Sequence, residues 1–103
     1  MDIETRKQNG ILTIEFNRPD KKNSITAAMY QQMADAIQDG EEDRGVRTLL
    51  FCGKPDIYTA GNDLEDFMNN PEEVEDRPVA RFIANLCLAK KPVIAAVAGA
   101  AIG

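Results

Sequence analysis

Between residues 10 and 16, Leu12, Ile14 and Phe16 alternate with Thr13 and Glu15, the period-two pattern of a strand with one buried face. Residues 2–7 read as its partner, and Asn9-Gly10 between them is the dipeptide of a tight hairpin turn. The period then changes. Met29, Met33 and Ile37 recur at four-residue spacing with Tyr30 beside them, which predicts a helix from the N-cap Thr26 to about Gln38, closed by Gly40, with this stripe facing a core. Residues 41–44, all charged, read as a solvated connection, and residues 46–52 as an apolar strand buried on both faces. Ala60-Gly61-Asn62-Asp63 is a turn that opens a short amphipathic helix over 64–68, with Asp63 as its cap. Asp76 is a candidate cap for the next helix, in which Pro78 suits the first turn and Val79, Phe82, Ile83 and Leu86 form the buried face. Lys90 and Lys91 suit its C-terminal end and Pro92 stops it. Residues 93–97 read as a second buried strand, and a small-residue turn runs from Gly99 to Gly103.

The order of strand, strand, helix, strand, helix, strand predicts a single α/β domain over residues 1–103 with right-handed crossovers. A buried strand followed by an apolar ending with no polar cap is expected to belong to an incomplete fold. Apolar surface along 93–102 is expected to drive self-association.

Twelve basic against 17 acidic residues give a net charge of -5, which argues against nucleic acid or an anionic membrane as the main partner. The chain holds no histidine, which rules out a Ser-His-Asp or Cys-His mechanism built from these residues alone. Cys52 and Cys87 lie in apolar runs and read as buried free thiols of a reducing compartment, so a cytoplasmic location is expected. No signal peptide and no membrane-spanning run is recognisable. The carboxylates between Asp63 and Asp76 lack ligand-like spacing and read as a surface loop, not a metal site.

The stretch with candidate chemistry is residues 51–64, where a strand runs through a glycine and proline loop into Ala60-Gly61-Asn62-Asp63. Unpaired N–H groups at a helix start favour an anion, so this turn fits either an oxyanion site or a plain helix cap. Three separated segments carry a resemblance. Asn17-Arg18-Pro19-Asp20-Lys21-Lys22-Asn23-Ser24-Ile25, Tyr58-Thr59-Ala60-Gly61-Asn62-Asp63-Leu64, and Lys91-Pro92-Val93-Ile94-Ala95-Ala96-Val97-Ala98-Gly99 through Gly103 resemble three successive signatures of the crotonase (enoyl-CoA hydratase/isomerase) superfamily, in its order and spacing.

The resemblance implies a crotonase-like ββα spiral, of which this chain would be the N-terminal part, and acyl-CoA thioester substrates whose enolate is held by two backbone N–H groups. It makes the Asn62 amide the first donor and the residue after Gly103 the second. It places the adenine and pantetheine of coenzyme A along Lys22, Asn23 and Ser24 and along Ala60, Gly61, Asn62, Asp63 and Leu64. Coenzyme A is then part of the substrate, no metal or redox cofactor is needed, and the full-length protein is expected to form homotrimers or paired trimers. Arg18, Lys21 and Lys22 are either near the phosphates of coenzyme A or in an ordinary solvated loop. Asp63 is expected to cap its helix and not to transfer a proton, and Glu65, Glu72, Glu73 and Glu75 are not candidate bases.

Asn62 stands where many hydratases have alanine, Ala98 replaces a usual asparagine, and residues 58–67 are closer to the Δ3,Δ2-enoyl-CoA isomerase branch. The reading therefore leans to an isomerase, with a non-catalytic crotonase-like module for CoA binding or assembly as the alternative. A nucleotide-binding α/β domain would need a glycine-rich loop after its first strand, and Asn17-Arg18-Pro19-Asp20 is not one. The 103-residue chain by itself is expected to be inactive.

Overall fold

The computed structural model describes residues 1–69 and 78–102. In chain order the elements are β1 (Ile3–Gln8), β2 (Ile11–Phe16), α1 (Ala27–Glu42), β3 (Thr48–Cys52), β4 (Ile57–Thr59), α2 (Leu64–Asn69), α3 (Pro78–Leu88), β5 (Val93–Ala96) and β6 (Ala100–Ala101). β1 and β2 pair antiparallel, and Asn9 (φ 56°) and Gly10 (φ 80°) form the turn with two left-handed residues that a two-residue hairpin requires. β3 lies parallel to β2 and β5 parallel to β3, giving the sheet order β1-β2-β3-β5.

This register places Leu12 beside Leu49 and Ile14 beside Phe51. Residues two apart on a strand share a face, so Leu12, Ile14, Phe16, Leu49 and Phe51 make one continuous apolar surface. α1 covers it with Met29, Met33 and Ile37, each essentially inaccessible to solvent. Thr26 caps this helix by accepting the Met29 N–H at 3.2 Å.

Gly40 does not end α1, which continues to Glu42, so Glu41 and Glu42 are helical and not a connection. The glycine is there for packing. A Cβ at position 40 would stand 2.8 Å from Leu12 Cδ2 and 3.1 Å from Leu49 Cδ2, so its absence lets the helix approach the sheet. The carbonyls of Gly40 and Asp43 are instead satisfied by Lys91 Nζ, at 2.6 and 2.7 Å. Lys91 thus serves the C-terminus of α1, not that of the helix before it.

On α3, Val79, Phe82 and Leu86 pack against the core, but Ile83 faces solvent because it lies off that stripe. β3 is buried on one face only. Leu50 and Cys52 on the other are half-buried, beside a polar network in which Glu15 pairs with Arg6 and Lys54. β5 is exposed throughout, as an edge strand with no neighbour beyond it among the described residues. Apolar surface does lie open at Val93, Ile94, Val97 and Ile102. The pairing of β4 with β6 as a second, two-stranded parallel sheet was not legible in the sequence, because both segments are too short to show a period.

Cys87 is exposed and Cys52 half-buried, both unpaired, so the expectation of two buried thiols is corrected. The candidate cap Asp76, the acids Glu72, Glu73 and Glu75, and Gly103 lie outside the described residues. Among the described residues no cluster of metal-ligating side chains occurs, and no helix is long and apolar enough to cross a membrane.

Candidate functional site

The loop joining β2 to α1 and the stretch that runs from β3 through β4 to α2 are laced together at one end of the sheet. Their centre is Asn23, which is fully buried and left-handed (φ 55°), a conformation that asparagine tolerates better than most residues. Its Nδ2 donates to the carbonyls of Ile57 and Tyr58 at 3.3 and 3.1 Å, and its Oδ1 accepts the Arg18 N–H at 2.8 Å. Its own carbonyl accepts Thr59 Oγ1–H at 2.6 Å. The side chain of Asn23 is therefore spent inside the protein.

The N–H groups of Lys22, Asn23 and Ser24 are also used locally, donating to the carbonyls of Pro19, Arg18 and Lys21. What this segment presents to a ligand is the exposed Lys22 side chain. Arg18 is occupied too. Its Nη1 holds Asp63 Oδ2 at 2.8 Å, Ser24 Oγ at 3.0 Å and the Ser24 carbonyl at 3.1 Å. Lys21 shares a mixed-charge cleft of about 300 Å³ with Asp63, Glu65 and Asp66, surroundings that work against a phosphate.

The backbone from Thr59 to Asp63 is held peptide by peptide. The Ala60 N–H donates to the Lys22 carbonyl at 3.1 Å, and the Gly61 N–H to Thr59 Oγ1 at 3.1 Å. The Ile25 N–H donates to the Gly61 carbonyl and the Asp63 N–H to the Ile25 carbonyl, both at 2.8 Å, a single parallel bridge. Gly61 takes φ 92°, where a side chain would be strained.

One consequence follows from planar geometry. In a trans peptide the C=O and N–H point in opposite directions, so a Gly61 carbonyl directed at Ile25 turns the Asn62 N–H away from Ile25. Among the described residues no group accepts that N–H, and Asn62 is exposed. The arrangement leaves the Asn62 N–H directed away from Ile25 and without an acceptor among the described residues, in a loop whose neighbouring peptides are hydrogen-bonded. Asn62 precedes the cap Asp63, and α2 is only six residues long, so this placement owes more to the loop's hydrogen bonds than to a helix dipole.

Asp63 does cap α2, its Oδ1 accepting the Asp66 N–H at 3.0 Å. That amide, followed by the Arg18 guanidinium, holds the Asp63 carboxyl below the usual carboxylate range, so it is a poor proton acceptor at neutral pH. Asp66 Oδ2 in turn accepts the Ala27 N–H at 2.8 Å, tying the start of α1 to α2. Leu64, another predicted site residue, is exposed.

Beneath the loop lies an apolar cavity of about 300 Å³ whose lining includes Phe16, Ile25, Tyr30, Phe51, Tyr58 and Phe82. Tyr30 belongs to both regions. Its ring lines the cavity, and its hydroxyl donates to Asn62 Oδ1 at 2.6 Å. The periodicity placed Tyr30 in the core stripe and missed this bond; the available signal was that a buried tyrosine hydroxyl needs a partner. Thr59 was likewise missed as a site-shaping residue.

A family model described as enoyl-CoA hydratase/isomerase matches residues 6–103. The chain is 35% identical, over 99% of its length, to enoyl-CoA delta isomerase 3, peroxisomal, of Mus musculus, of which it covers 34%. It is 34% identical, over 98% of its length, to 1,2-epoxyphenylacetyl-CoA isomerase of Escherichia coli, of which it covers 41%. Among solved structures, Pseudomonas aeruginosa OdaA superposes with a TM-score of 0.90 at 43% identity, over 95% of this chain and 40% of that one. The chain thus spans between a third and about two fifths of the length of these relatives.

Proposed function

The chain belongs to the enoyl-CoA hydratase/isomerase (crotonase) family, and from that premise we propose that it is the N-terminal part of a single domain that binds acyl-CoA thioesters and stabilises their enolates. The observation that carries this reading is the Asn62 N–H, held by the bonds on either side of it and without an acceptor among the described residues. A donor fixed before the reaction needs no reorganisation when charge develops on the thioester oxygen. One such donor is typically worth about 100- to 1,000-fold in rate.

In the proposed reaction, a carboxylate from another part of the full-length protein removes a proton next to the thioester. The electron pair moves onto the thioester oxygen, where Asn62 N–H and a second donor hold it, and reprotonation at a different carbon shifts the double bond. The isomerase branch is favoured over a hydratase because the mouse relative above is a delta isomerase and 1,2-epoxyphenylacetyl-CoA isomerase is also similar. The apolar cavity beside the donor suits the acyl part of such a substrate, and the exposed Lys22 suits its phosphates.

Assembly into homotrimers or paired trimers is part of the proposal for the full-length protein. So is a cytoplasmic location, supported by two unpaired thiols; the mouse relative is itself named as peroxisomal.

Proline at position 62 removes the N–H, whereas alanine keeps it. In the full-length protein Asn62→Pro is expected to lower the rate on an enoyl-CoA by at least about 100-fold, and Asn62→Ala by no more than about tenfold. If both variants keep the parent's rate, Asn62 is not an oxyanion donor.

A further inference from the structure

Resting on the oxyanion reading of Asn62, we propose that Tyr30 is a positioning residue for the reaction: its hydroxyl, bonded to Asn62 Oδ1 at 2.6 Å, fixes the residue whose backbone N–H receives the developing charge. The backbone bonds already described determine the peptide planes on either side of Asn62, but none of them reaches its side chain. Asn62 is exposed, and an exposed asparagine is normally free to rotate. Here its side chain is tied to α1, the most deeply buried helix of the fold.

The tie is itself rigid. The Tyr30 ring packs edge-on against Phe67 of α2 at 6.1 Å between centroids, and at a tilt of 54° against Phe82 of α3 at 5.3 Å. Tyrosine has only two side-chain torsions, so contacts from two helices leave the hydroxyl little freedom. Burial pushes the Tyr30 hydroxyl above its ordinary value of 10, so it remains protonated and a donor throughout the physiological range. Phe67 lies on the helix that Asn62 and Asp63 lead into, so the ring restrains the loop's exit while the hydroxyl restrains the donor residue.

The experiment is a double-mutant cycle in the full-length protein with an enoyl-CoA substrate. Tyr30→Phe removes the hydroxyl and keeps the ring; Asn62→Ala removes the acceptor and keeps the backbone N–H. Each is expected to lower kcat about fivefold, the effect of one ordinary hydrogen bond, with KM changed less than about twofold. The double variant is expected to be no slower than either single one, because both break the same bond. Unchanged kcat in Tyr30→Phe, or losses that multiply in the double variant, would overturn the proposal. A change in KM alone would assign Tyr30 to substrate packing, which also overturns it.

Because Asn62→Ala alters an exposed side chain, it keeps the cycle readable if Tyr30→Phe lowers the melting temperature. The proposal fails separately from its premise: an inactive Asn62→Pro beside an unaffected Tyr30→Phe rejects only the role of Tyr30, whereas an active Asn62→Pro rejects the oxyanion reading.

Discussion

β3 and β5 are adjacent, parallel and similar in sequence character, yet their surroundings are opposite. Leu49 on β3 is fully buried, whereas its partner in the register, Val93 on β5, is 39% exposed, and Ile94 after it is 52% exposed. Both runs have the composition of an interior strand. What differs is that β3 has a strand on either side and α1 above it, while β5 stands at the sheet edge. Burial is therefore a property of the neighbours that a run finds, not of the run.

The largest expected effect tests that contrast directly. Leu49→Ala opens a hole under α1 beside Gly40 and is expected to cost about 3 kcal/mol in urea unfolding of this chain, whereas Ile94→Ala is expected to cost less than about 0.5 kcal/mol. Equal costs would mean that β5 is covered in solution. Repeating the pair in the full-length protein sharpens the comparison, because a cost for Ile94→Ala that appears only there measures what covers β5.

A smaller effect concerns how β5 is anchored without burial. Lys91 Nζ bonds the carbonyls of Gly40 and Asp43, and Glu41 Oε1 accepts the N–H groups of Lys90 and Lys91. Lys91→Met is expected to cost about 1 kcal/mol and to speed amide exchange in β5 more than in β3. Equal acceleration in both strands would show that the anchor serves the whole sheet.

The smallest effect lies in the segment after β3, which is clasped by Arg18 and Asp63. Asp63 has a folded pKa below its ordinary value of 3.8, so its contribution to stability is present above that value and lost as pH falls through the folded one. Asp63→Asn is expected to lower the urea midpoint near neutral pH, with the gap to the parent closing below about pH 4. A gap that does not narrow at all as the pH falls from neutral into the acid range would show that the carboxylate charge is not what holds the loop.

Much of this architecture was legible because local rules act through near neighbours. The alternation of Leu12, Ile14 and Phe16 predicted the buried face of β2, Asn9-Gly10 predicted the hairpin, and Thr26 and Asp63 predicted their caps. Gly40 was misread because a glycine near a helix end has two meanings, and only the packed sheet shows that the missing Cβ matters for close approach. Lys91 was misread for a similar reason. Its position suited the end of α3, but the carbonyls in reach belong to a helix about 50 residues earlier.

The candidate site divides along the same line. The stretch from Ala60 to Asp63 and its likeness to a known signature were readable in the chain. Asn23 joining two segments, Arg18 spent on Asp63, and Tyr30 reaching Asn62 were not, since each pairs residues from different elements.

By itself the sequence determined β1, β2, β3, β5 and the helices, most of the apolar faces they carry and the family to which the chain belongs, because periodicity, capping and turn chemistry operate over a few residues. The tertiary structure alone decided which faces are covered, which charges are already paired, and where the Asn62 N–H points. Those outcomes depend on hydrogen bonds and contacts between segments far apart in the chain, and no local pattern encodes them.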